Sequence, residues 1–136
     1  MDAFQKENAV VKGTNREVIA NPDWSQIESA IRELDGNTKT LVTSGEDDET
    51  YITIGGGNGG KYIVSVTFDN LEFHNLIDLS KPNQTETLVV GGQEGIYPAK
   101  MCVDLLRCLL AARTFTECGK LDSLLSWETD KLLVAV

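Results

Sequence analysis

Two glycine clusters, an acidic run, one histidine and three cysteines are the residues of this chain whose types could do chemistry. Residues 55 to 60 read "GGGNGG". Such a run can cradle a phosphate when a helix N-terminus comes directly after it and aims backbone N–H groups at the anion. The next residues are instead "KYIVSVTF", an alternating β-branched stretch, and neither G-x-x-x-x-G-K-[ST] nor a strand-to-helix G-x-G-x-x-G is present. The run therefore predicts a hairpin turn. Ile52 and Ile54 share a face with Tyr62 and Val64 if Ile54 pairs with Tyr62 and Ile52 with Val64. That pairing needs an odd-length loop centred on Asn58, such as Gly57-Asn58-Gly59 with Gly59 at positive φ. The second cluster, "VVGGQEGIYPAK", leads from a predicted strand into a predicted helix and is better placed for an anion. Glu94 would repel one, and the alternative is a plain connection with Pro98 near the first helical turn. A small-ligand-binding or enzymatic domain using Gly91–Gly95 stays open at this point.

The acidic run Glu46-Asp47-Asp48-Glu49 joins two predicted strands. It lacks the glycine-centred spacing of a calcium loop. It can be a solvated loop that blunts edge pairing, or a contact for a partner with a basic groove. His74 falls in a strand, on the face predicted to be wet, with no acidic orienter at clear spacing. Cys102, Cys108 and Cys118 form no C-x-x-C pair and predict buried, reduced thiols; together with the one histidine they lack the spacing of a zinc site. No nucleophile elbow or paired-histidine motif appears. The sequence thus predicts no catalytic residues, no metal and no cofactor.

The formal charge is −9, which argues against direct nucleic-acid binding and suits a basic protein partner. No stretch approaches a membrane span, and "MDAFQKENAVVKG" has no apolar signal core, so the expectation is a cytoplasmic protein.

The elements that must position these residues read as one α+β domain over residues 21–136, after a tail or edge strand over 1–20 in which only Val10-Val11 and Val18-Ile19 are apolar. "NPDWSQIESAIRELDGN" predicts a helix capped by Asn21 or Asp23, with Pro22 at its first turn. Trp24, Ile27, Ile31 and Leu34 lie on one face, and Gly36 closes the end. Period-two segments over 38–45, 50–54, 61–68, 71–77 and 85–91 predict strands. An Asp69-Asn70 turn would set Phe68 opposite Leu71 and Val66 opposite Phe73. "AKMCVDLLRCLLAARTFTEC" predicts a core helix with a narrow polar stripe at Lys100, Asp104, Arg107 and Thr114, Ala111 lying on the same line, ended by Gly119. Leu121, Leu124, Leu125 and Trp127 would cover its end. "KLLVAV" could add a last strand or seed self-association. The fold expectation is an antiparallel sheet of about five strands with two helices packed on one face.

The segment "GIYPAKMCVDLLRCLLAARTFTECGKLDSLLSWE" resembles the closing segment of the first-numbered immunity-protein family of bacterial polymorphic-toxin systems. The resemblance rests on Pro98, Ala111 and Ala112, Phe115, Gly119, Trp127 and Glu128, and extends upstream through "YITIGGGNGGKYIVSV" and "TLVVGG". It implies a non-catalytic α+β protein that binds a cognate toxin, often a nuclease or nucleic-acid deaminase, and masks its active site or substrate path. Pro98, Phe115, Gly119 and Trp127 would hold the fold. Glu46, Asp47, Asp48 and Glu49 are the candidate partner-binding residues, with Gln93 and Glu94 next.

Overall fold

The computed structural model describes residues 10–12 and 18–131, with side chains from Asn21 to Asp130. Helix α1 spans Trp24–Arg32. Asp23, not Asn21, is its cap: Gln26 N donates to Asp23 Oδ1 (2.9 Å) and Asp23 N to Gln26 Oε1 (3.0 Å), a reciprocal box that satisfies two otherwise orphaned donors. Pro22 lies outside the helix. The helix stops at Glu33, before Gly36, because Asp35 captures the next turn through bonds from Asn37 N, Thr38 N and Lys39 N.

Strands β1 (Val10–Lys12), β2 (Val18–Ala20), β3 (Leu41–Gly45), β4 (Tyr51–Gly56), β5 (Tyr62–Thr67), β6 (Glu72–Ile77) and β9 (Ser126–Lys131) form one antiparallel sheet in the order β2-β1-β3-β4-β5-β6-β9. Its main body is five-stranded, β3 to β6 plus β9, and the architecture is α+β. The strand expected at 85–91 is not part of it. That segment, β7 (Thr85–Val90), pairs with β8 (Gln93–Pro98) in a separate hairpin, and β9 takes its place beside β6. Of "KLLVAV", Lys131 ends β9 and residues 132–136 lie outside the described residues.

Alternation along the strands gives the sheet two dissimilar faces. Val42, Ile54 and Val64 stand side by side and join Ile27 and Ile31 of α1 with Cys108, Ala112 and Phe115 of helix α2 (Leu105–Cys118) in the main core. Each large side chain buried there contributes about 1.5–3 kcal/mol. On the other face Ile63 packs with Leu88 of β7 and Cys102, flanked by Val90 and Tyr97. Gly55 permits this approach: a Cβ there would sit 3.0 Å from Val90 Cβ and closer still to its methyls.

The chain passes from the hairpin side to the helix side through a gap between β5 and β6. Val103 exchanges both backbone bonds with Tyr62 (2.9 Å each), and Asp78 N donates to Lys100 O (2.7 Å). Cys102 therefore lies in the hairpin-side cluster and Val103 in the main core.

Two registers differ from expectation. β4 and β5 pair Ile54 with Val64 and Ile52 with Val66. The odd-length loop holds, but it is centred on Gly59, because Gly55 and Gly56 continue the strand and a 3-10 turn over Asn58–Gly60 closes it. β5 and β6 pair Val66 with His74 and Thr67 with Phe73, one residue from the expected alignment. The cause is Asp69, whose Oδ1 accepts from Leu71 N and Glu72 N (2.9 Å each) while Asn70 takes φ 59°. The turn thus consumes three residues, and a one-residue slip exchanges faces. His74 moves to the helix side, and Phe73 and Asn75 to the hairpin side.

Helix α2 begins later than expected, with Asp104 as its cap (Arg107 N to Oδ1, 2.9 Å); Pro98 ends β8 instead. Gly119 does terminate it, at φ 67°. Ala111, on the line of the expected polar stripe, is buried, whereas Leu106 and Leu110 are 66% and 43% exposed. The helix packs on one side only. Leu121, Leu125 and Trp127 do pack against the core, but Leu124 is 92% exposed.

Candidate functional site

The acidic residues Glu46, Asp47, Asp48 and Glu49 form the β3–β4 loop, at the end of the sheet away from the glycine-rich turn. The loop is shaped by its own second residue. Asp47 Oδ1 accepts from Glu49 N (2.8 Å) and Thr50 N (2.9 Å), and Glu46 N donates to Thr50 O (3.0 Å). Such side-chain-to-backbone bonds are the ordinary device by which Asp fixes a turn.

Two further contacts join this loop to the β5–β6 turn: Thr50 Oγ1 donates to Phe68 O (3.1 Å), and Tyr51 Oη to Asn70 Oδ1 (2.7 Å). Asp69 thereby becomes a neighbour of the acidic run. The amides of Glu72 and Leu71 that bond its carboxylate hold its pKa below the usual value, so it stays charged. Asp130 stands opposite Phe73 on β9, where Asn75 Nδ2 donates to it (2.8 Å). Among the described residues no Lys or Arg forms an ion pair with Glu46, Asp47, Asp48, Glu49 or Asp69. The ion pairs of the described residues lie elsewhere: Arg32 with Glu28, Lys39 with Glu33, Lys61 with Glu86, Lys100 with Glu128, Arg107 with Asp104 and Asp78, and Arg113 with Glu117.

Gln93 and Glu94 are exposed at the start of β8, and the structure does not bring them to the acidic loop. The β7–β8 turn is tied to the opposite end of β3: Gly92 N donates to Thr40 Oγ1 (2.7 Å) and Gly91 N to Thr40 O (3.3 Å). The length of β3, about 13 Å at the usual strand rise, separates the two groups. The expected strand-to-helix connection is corrected here. Gly91 and Gly92, at φ 62° and 78°, make a two-residue hairpin turn that leads into β8, so no helix N-terminus stands behind it to receive an anion.

His74 is half-buried on the helix side; its Nδ1 lies 2.8 Å from Thr129 Oγ1 and its ring centroid 5.8 Å from that of Phe68. A hydroxyl partner does not orient a general base as a carboxylate would. Cys102 and Cys108 are buried and free, and burial pushes both thiols up. Cys118 is exposed, contrary to expectation, because it lies at the solvent side of the last turn of α2. Among the described residues no group of three or more His, Cys, Asp or Glu side chains is disposed to hold a metal ion. No helix of the described residues is long and apolar enough to cross a membrane.

Sequence reasoning treated Asp69 and Asn70 only as turn residues and gave Tyr51, Phe73 and Asp130 no role. Strand alternation signals that Tyr51 faces away from Ile52. The one-residue slip at Asp69 hid Phe73, and the β6–β9 pairing hid Asp130.

The family model for Immunity protein Imm1 matches residues 15–129, most of the chain. The chain belongs to the Imm1 family. No curated protein and no solved structure matches it. Imm1 is a family of immunity proteins, and membership implies a toxin-neutralising role. Of the residues that carry the resemblance, Phe115 is buried in the main core, Gly119 caps α2, and Trp127 packs from β9 with Nε1 donating to Asp122 O (3.0 Å). Pro98 is exposed, and its carbonyl lies 3.6 Å from Cys102 Sγ.

Proposed function

We propose that this Imm1 member neutralises a cognate bacterial toxin by binding it, without catalysis of its own, and masks the toxin's active site or substrate surface. The family match over residues 15–129 carries this reading. The acidic loop supports a partner with a basic surface, as a nuclease or nucleic-acid deaminase would present to its substrate. A formal charge of −9 steers such a partner into encounter and competes with polyanionic substrate. Glu46, Asp47, Asp48 and Glu49 form the contact. Gln93 and Glu94 join it where the partner's footprint extends to the other end of β3. Toxin and immunity protein meet in the cytoplasm on this reading.

Co-expression with the toxin encoded beside its gene is the test. Cells producing both proteins should grow, and the two should co-purify. Growth arrest despite soluble immunity protein, with no complex recovered, overturns the proposal.

A further inference from the structure

The proposed function leaves open which side of the molecule meets the toxin, and the two faces of the sheet differ in how fully they are covered. The helix side is filled by α1 and α2. On the other side the β7–β8 hairpin covers only the end around Gly55 and Ile63. Beyond it no helix or hairpin among the described residues lies over Thr43, Thr53 and Ser65 or over Tyr51 and Phe73. Thr67, between Tyr51 and Phe73, is buried with its hydroxyl bonded to Glu72 O and Asn70 N in the β5–β6 turn, and Asn75 beside Ser65 is buried too. Thr43, Thr53, Ser65, Tyr51 and Phe73 are all half-buried, as side chains standing on an open sheet face are.

We infer that this open face, with Tyr51 and Phe73 at its centre and the acidic β3–β4 loop, Asp69 and Asp130 around it, is the surface that docks a basic face of the toxin. Charge complementarity selects the occupant. The rim carboxylates of Glu46 to Glu49 and Asp69 have no cation partner among the described residues, so a ring of Lys or Arg on a partner would meet uncompensated charge. Two cations among the described residues border the face: Lys12, in register with Thr43, and Lys100, paired with Glu128 opposite Asn75. A partly apolar centre inside a charged rim is the usual anatomy of a tight interface, and Tyr is prominent among its anchors. The surface is also pre-shaped. Asp47 and Asp69 each bond two backbone amides, and Tyr51 Oη bonds Asn70 Oδ1 across the loops. Little ordering is then required on binding, which favours affinity. The exposed leucines of α2, Leu106 and Leu110, lie on the opposite side of the sheet and fall outside the contact.

The inference rests on the proposed toxin binding, and the experiment separates the two. The probe is the toxin domain encoded beside the gene, inactivated in its catalytic residue, titrated against four forms of the full chain at low and moderate salt. Thr53→Arg places a cation on the face and is expected to weaken binding at least about 100-fold. The combined change Glu46→Gln, Asp47→Asn, Asp48→Asn and Glu49→Gln keeps shape and acceptors while removing charge. It is expected to weaken binding at least about tenfold, mainly through a slower and less salt-sensitive association. Leu106→Arg should stay within about twofold of the unsubstituted chain. Should Thr53→Arg fail to fold by circular dichroism, the amide variant alone decides. Binding unchanged in the face variants, whatever Leu106→Arg does, overturns the face and leaves toxin binding standing. A toxin that binds no form of the chain, together with no protection in cells, overturns both.

Discussion

Strand β4 joins two hairpin loops of opposite character. Its last residues run into the glycine-rich turn, which is pulled inward. Asn58 Nδ2 donates to Gly36 O and its Oδ1 accepts from Val89 N (3.2 Å each), so one side chain pins the turn to the end of α1 and to β7. Its first residues come after the acidic loop, whose carboxylates bond only their own turn or face solvent. The glycine run that looked most like a ligand loop serves the fold. The loop that looked like a solvated edge is left available. Glycines here mark close backbone approach, whereas carboxylates without ion partners mark what the fold does not consume.

The largest effect should come from Gly57→Ala. Gly57 has φ 100°, and a Cβ there would press on the Leu34 carbonyl and lie 2.8 Å from Asp35 N. Backbone strain and the clash together should cost at least about 3 kcal/mol in denaturant unfolding. A loss under about 1 kcal/mol would show that the turn is not held inward. Asn58→Ala ranks second. It leaves Gly36 O and Val89 N without their side-chain partner and should cost roughly 2 kcal/mol, with faster amide exchange at Val89 as the specific readout.

Asp35 belongs to the same end. Backbone bonds from Lys39 and Asn37 and the Thr38 hydroxyl bond hold its pKa at about 2, below the ordinary 3.8. Its charged form therefore favours the folded state. The stabilisation is fully present above about pH 4 and is lost as pH falls toward 2. Asp35→Asn should be less stable than the unsubstituted chain at neutral pH and should lose less stability across that window. Parallel melting curves in the two proteins would contradict this. At the other end, the four-fold amide change over Glu46–Glu49 should alter unfolding free energy by no more than about 0.5 kcal/mol while it weakens toxin binding. A large stability loss there would erase the contrast between the two loops.

Much of this organisation is written locally. Alternation at Ile52, Ile54, Val64 and Val66 and a helix cap at Asn21 or Asp23 needed only neighbouring residues to be read, because period and capping are short-range properties; the reciprocal bonds with Gln26 make the choice of Asp23. The acidic loop was legible as a connection between strands for the same reason. The surroundings that make it a site were not. Tyr51 and Asn70 meet beside it through a turn register, and Asp130 is set opposite Phe73 by a β6–β9 pairing that bridges some fifty residues of sequence.

The fold class, a capped start of α1 at Asn21 or Asp23, the Gly119 stop, the odd parity of the glycine hairpin and, through resemblance, the family were all legible in the sequence by itself. Tertiary structure alone decided that β7 leaves the sheet for its far face, that β9 replaces it, and that Asp69 slips β6 by one residue. The physical reason is that side-chain parity repeats every two residues and is blind to which strand lies alongside. Register and neighbour are fixed by turn hydrogen bonds and by burial between segments distant in the chain.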